Sequence, residues 1–165
     1  VDLGGGQWRY DYAVMNLDFA RAVTQGTGKY SDDSDPTQRF RVIHNFGFDR
    51  FSVPLPTGLT ASSIEFNAGD LDSGNNWTGT SAGGNLTWPA PVNPTPPANT
   101  PAVLNPLNWG TMFRFSFVTT QAPTAADIDL HVAQSGSPAS YTATVLAPSA
   151  PVVDVIFEND FEDLP

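Results

Sequence analysis

Residues 111–119 read TMFRFSFVT, from Thr111 to Thr119. Phe113, Phe115 and Phe117 share one parity, while Met112, Arg114 and Ser116 share the other. Successive side chains of a strand point to opposite faces, so the three rings fall together on one side. A helix would scatter them around its circumference. This stretch is a β-strand with one apolar face, and it sets the pattern to look for elsewhere.

The same alternation returns in residues 7–17. Trp8, Tyr10, Tyr12 and Val14 face one way, and Arg9, Asp11 and Ala13 the other. Residues 39–45, 48–55, 63–67, 76–80, 85–88, 128–132 and 141–146 read as further short strands. Residues 18–23 suit a helical turn or the end of a hairpin, and 25–37 a polar loop. Ser81-Ala82-Gly83-Gly84 reads as a hairpin turn, and Gly136-Ser137-Pro138 as another turn. Residues 89–106, with Pro96-Pro97 at their centre, are too rich in proline for a central strand and read as an extended surface crossover. With 14 Gly and 15 Pro, long helices are disfavoured. The expected fold is all-β: an antiparallel two-sheet sandwich, Ig-like or jelly-roll-like, of about nine to ten strands. The expected organisation is one sandwich domain over residues 1–151 and an amphipathic tail over 152–165.

The 165 residues carry 40% hydrophobic and 15% charged side chains, enough for a core and too little charge for a disordered chain. The net charge of −10 repels nucleic acid and anionic membranes. Six of the seven cations lie in the first fifty residues, leaving the rest strongly acidic. The absence of Cys excludes disulfides and thiolate metal sites. No apolar run is long enough to span a membrane as a helix. The start at Val1, the scarcity of Lys and the abundance of Thr, Ser, Asn, Gly and Pro fit the mature form of an exported protein, secreted or at the cell surface.

Residues 154–165 read DVIFENDFEDLP. Val153, Val155, Phe157 and Phe161 fall on one strand face, and Asp154, Glu158, Asp160 and Glu162 on the other. Such a strand needs a sheet to pair with, in its own chain or in another copy. Arg9, Arg39 and Arg41 are the cations that could meet its acidic face.

Four other patterns invite chemistry. Gly79-Thr80-Ser81-Ala82-Gly83 matches G-x-S-x-G, followed by Asp127, Asp129 and His131. A nucleophile elbow needs a strand before it and a helix after it, and no helix follows here, so a hairpin turn is the expectation and no catalytic residue is assigned. Asp70 and Asp72 begin a run resembling the opening of a calcium loop, but Gly74 stands at the third ligand position. A solvated Asx-rich turn is the stronger expectation for these aspartates, weak calcium binding is the alternative and the one cofactor they suggest, and two distant histidines make no transition-metal site. Trp77, Trp88 and Trp109 fall near strand ends, where flat rings could form a platform for a glycan; sandwich cores use such rings too. Asn76-Trp77-Thr78 and Asn85-Leu86-Thr87 are formal glycosylation sequons.

Three segments carry a resemblance. Phe51-Ser-Val-Pro-Leu-Pro-Thr-Gly58 is similar to an F-S-V-P-x-P segment, and Leu107-Asn-Trp-Gly-Thr-Met-Phe-Arg-Phe-Ser-Phe117 to a W-G-T strand. Asp154-Val-Ile-Phe157 with Phe161-Glu162 resembles the I-F-x-x-x-F-E ending of many exported proteins, with Asp160 where Gly is usual. Together they resemble uncharacterised secreted bacterial β-sandwich proteins of the gammaproteobacterial type. The resemblance implies export and a sandwich-like domain, and it brings no activity. The function expected is that of an extracellular structural protein, a subunit of a self-assembling surface filament or pilus-like fibre held by strand complementation, and not an enzyme. A homo-oligomer or polymer is the expected partner. The alternatives are a secreted carbohydrate-binding or adhesion module, and a monomeric exported protein whose tail pairs with its own sheet.

Overall fold

The computed structural model describes residues 1–25, 41–96 and 102–149. The alternation in the sequence becomes eleven strands: β1 (Asp2–Gly4), β2 (Gln7–Met15), β3 (Arg21–Gln25), β4 (Arg41–Phe46), β5 (Phe48–Pro54), β6 (Ser62–Asn67), β7 (Thr80–Ala82), β8 (Asn85–Pro89), β9 (Met112–Thr119), β10 (Thr124–Val132) and β11 (Ser140–Ala147). They build a four-stranded sheet in the order β1-β2-β9-β6, a five-stranded sheet in the order β11-β10-β5-β8-β7, and a β3-β4 pair, antiparallel throughout. No α-helix occurs among the described residues; a single 3₁₀ turn spans Ser73–Asn75.

The two larger sheets face each other through aromatic rings. Phe113, Phe115 and Phe117 of β9, with Tyr10 of β2, meet Phe51 and Val53 of β5, Leu86 and Trp88 of β8, and Ile128 of β10. Phe115 lies 4.4 Å from Phe51, ring centre to ring centre, and Trp88 lies 6.0 Å from Phe117. The decisive stretch 111–119 therefore forms the centre of one sheet, paired with β2 on one side and β6 on the other.

Local chemistry sets the connections. Gly83 and Gly84 both have positive φ, at 59° and 80°, which a two-residue hairpin turn of the primed type requires, and they join β7 to β8. Two expectations change. Residues 76–79 are not a strand, because Trp77 leaves the surface there, stacks on Phe66 and donates its Nε1 hydrogen to the Asn105 carbonyl. The proline-rich crossover is also tied down: Val92 bridges to Val103, and Leu107 exchanges hydrogen bonds with Phe48.

Candidate functional site

The Trp platform does not form. Trp77 is 2% exposed and Trp88 0%, because both rings fill the core between the sheets; Trp109, 61% exposed, stands alone at the turn before β9. This corrects the grouping of the three rings. Asp70 and Asp72 direct their carboxylates at their own loop. Asp70 Oδ1 accepts from the Asp72 N–H at 3.0 Å, and Asp72 Oδ1 accepts from the Gly74 N–H at 2.9 Å, which caps the 3₁₀ turn. Among the described residues, no three His, Asp or Glu side chains converge as metal ligands would.

Ser81 lies on β7 at the edge of its sheet, three strands away from β10, which carries His131. At a strand spacing of about 4.8 Å that is roughly 14 Å, too far for proton transfer. His131 instead lies on the outer face of β10, with Nδ1 2.7 Å from Asp49 Oδ1.

Arg9 is already engaged. Its guanidinium donates to Asp11 Oδ2 and Glu65 Oε2, each at 3.1 Å, and Arg114 pairs with Asp11 across the strands. Ser116 adds a bond to Glu65 at 3.0 Å. These groups form a charge ladder on the outer face of β2, β9 and β6. Arg41 opens β4 opposite Gln25, while Arg39 and the tail residues Val153, Val155, Phe157 and Phe161 lie outside the described residues.

A different feature emerges beside β2. Arg9 exchanges both main-chain hydrogen bonds with Val1, so β2 presents the N–H and C=O of its odd-numbered residues on that edge. β1 covers this edge only beside Gln7 and Trp8. From Asp11 to Met15 no described strand pairs with it, an open edge of roughly 17 Å at 3.4 Å per residue.

Beneath the open edge lies an apolar floor. Among the described residues the sheet opposite has five strands against four, and no described strand lies fully over the inner face of β11. Tyr141 points there and stays 43% exposed. Phe19, Phe48 and Tyr141 pack together with ring centres 5.0 to 5.9 Å apart. With Met15, Leu17 and Leu130 they line an open hollow of about 480 Å³. The Tyr12 hydroxyl crosses the seam to the Leu146 carbonyl at 2.9 Å and separates this hollow from a smaller one of about 190 Å³ near Val1 and Trp8.

Comparison with known proteins finds no matching family model, no matching curated protein and no matching solved structure. The site must therefore be read from its own geometry.

Asn16 fixes one end of that geometry. It is buried, donates from Nδ2 to the Leu107 carbonyl at 3.0 Å, and accepts at Oδ1 from the Phe19 N–H at 3.0 Å. Its main chain bonds Thr111 and Gly110, so the loop that carries Leu17 and Phe19 is fastened to β9. The sequence marked the rings of this site only as apolar positions. Tyr141 alternates with threonines like any strand residue, and no local signal says that its face lacks a cover.

Burial acts on the titratable groups here. The Tyr10 hydroxyl, which donates to the Gln121 carbonyl at 2.8 Å, is pushed up to about 12, and Tyr12 is raised as well, by burial and by its neighbour Tyr10. Burial pushes the Asp11 carboxyl up, but hydrogen bonds and charge from Arg114 and Arg9 outweigh it, so its pKa lies below the ordinary value. The signs differ. Asp11 contributes stability that is present above about pH 3.9 and is lost as pH falls through its lower folded value. Tyr10 contributes stability that is complete below about pH 10 and is lost as pH climbs toward 12. Denaturation midpoints across pH should fall at both ends. Asp11→Asn should flatten the acid limb and Tyr10→Phe the alkaline one; unchanged limbs would contradict both assignments.

Proposed function

We propose that this chain is a structural subunit of an extracellular assembly and joins its neighbours by strand complementation. The observation that carries the reading is the edge of β2 from Asp11 to Met15, which no described strand pairs, beside the half-buried ring of Phe19 and the exposed ring of Tyr141, both packed on buried Phe48. An added strand gains affinity from main-chain hydrogen bonds along such an edge, and alternate side chains fill the hollows beneath it. Contacts in which each copy offers a strand to the next do not close on themselves, so they propagate as a filament.

Magnitudes show what must hold the joint. Three apolar side chains seated in the seam contribute about 1.5–3 kcal/mol each. Ordering five residues of backbone costs about 1–2 kcal/mol each, which cancels that gain or slightly exceeds it. Main-chain bonds of roughly 0.5–1.5 kcal/mol each then decide the balance. A free β2 edge is therefore as necessary as the apolar floor. The reading of the chain as a sugar-binding module is left with Trp109 alone among the three rings.

The test is the state of association of the purified full-length chain. Light scattering should show mass rising with concentration, and electron micrographs should show linear particles. A chain that stays monomeric at every concentration would rule the reading out.

A further inference from the structure

We propose that the strand received by the β2 edge is residues 152–157 of a second copy of this chain. The inference rests on the reading of that edge as an acceptor. It adds which segment enters, from which molecule, and in what register.

The sequence of the segment fits the open edge. That edge spans Asp11 to Met15, and Val153, Val155 and Phe157 provide three apolar side chains at alternate positions over an equal length. On an antiparallel partner they face inward when Val155 lies opposite Tyr12, whose side chain also faces inward. This register sets Val153 opposite Val14, Asp154 opposite Ala13, Ile156 opposite Asp11 and Phe157 opposite Tyr10, one residue past the open edge. The parallel alternative with the same central pair sets Asp154 beside Asp11, two like charges directly opposed, which is unfavourable. In the antiparallel register Asp154 looks across the small Ala13 toward Arg114, which is the strand partner of Ala13 on β9.

The path of the chain argues for a second copy over a fold-back. After β11, the Ser149 carbonyl accepts from Gln121 Nε2 at 3.3 Å and from Thr124 Oγ1 at 3.0 Å. Thr124 belongs to β10, so these bonds draw the chain toward β10 and away from the free edge of β11. At that free edge the Leu146 carbonyl is already taken by the Tyr12 hydroxyl. A tight hairpin folding residues 152–157 back into their own seam would have to turn away from β10 and give up the Ser149 bonds.

The chain has no Cys, so introduced thiols are unique. Two full-length variants are made, Ala13→Cys and Asp154→Cys, and mixed under mild oxidation. A directly opposed, hydrogen-bonded pair has its Cα atoms about 5.5 Å apart, within disulfide range. The expected result is a reducible dimer in the mixture that neither variant gives alone, and a ladder of covalent multimers from the double variant. A double variant that gives only an internally linked monomer places the segment in its own seam and overturns the inference. Polymers that form without any disulfide between the two substituted positions also overturn it, while leaving the assembly reading intact. Absence of both polymers and links removes both.

Discussion

Phe115→Ala should lower the free energy of unfolding by about 3–5 kcal/mol. Phe115 is fully buried and touches both sheets at once. Its ring centre lies 4.4 Å from Phe51, 5.4 Å from Phe66, 5.5 Å from Trp88 and 5.6 Å from Trp77. Those four rings come from β5, β6, β8 and the loop before β7, and no small shift of one element could fill the space left by the ring. Domains of this kind are stable by about 5–15 kcal/mol, so the loss is a large share of the total. Denaturant titration at neutral pH would measure it. A loss under about 1 kcal/mol would mean that the rings do not share one rigid core.

Gly47→Ala should cost about 1–3 kcal/mol or more, although it adds only a methyl group. A Cβ on Gly47 would stand 2.0 Å from the Leu107 carbonyl oxygen and 2.6 Å from its carbon. These are main-chain atoms and cannot rotate away. The same Leu107 oxygen accepts from the Phe48 N–H and from Asn16 Nδ2, so moving it disturbs the strand bridge and the Asn16 junction together. Since Phe48 and the Asn16 loop both frame the seam, the substitution should weaken the proposed assembly beyond its effect on stability. Association compared at equal folded fraction would test this; unaltered association at unaltered stability would contradict the geometry around Gly47.

The sheets were legible in the sequence wherever a strand had one wet face. TMFRFSFVT and the Trp8-to-Val14 alternation announced β9 and β2 because period-two burial leaves a period-two pattern. β1 carried no such signal: three residues with all their side chains exposed have no burial to record. Trp77 misled for a related reason. A ring entering the core from a loop carries no periodicity, so only its contacts with Phe66 and Asn105 distinguish it from a surface ring.

The seam was not legible at all. It depends on which strands end each sheet and on four strands facing five, and both are consequences of long-range pairing. The sequence supplied a strand-like segment in need of an edge, and the fold supplies an edge that no described strand pairs. Neither half was visible in the other.

The shortness of β1 has a mechanical consequence. Because β1 occupies the edge of β2 beside Gln7 and Trp8, any strand entering below it abuts a wall and can slide no further along the groove. Hydrogen-bond ladders are indifferent to shifts of two residues, which keep every side chain on its proper face. A wall at a fixed position removes that freedom. Successive joints would then seat to the same depth, and the axial repeat of a fibre built from them would be uniform from one end to the other.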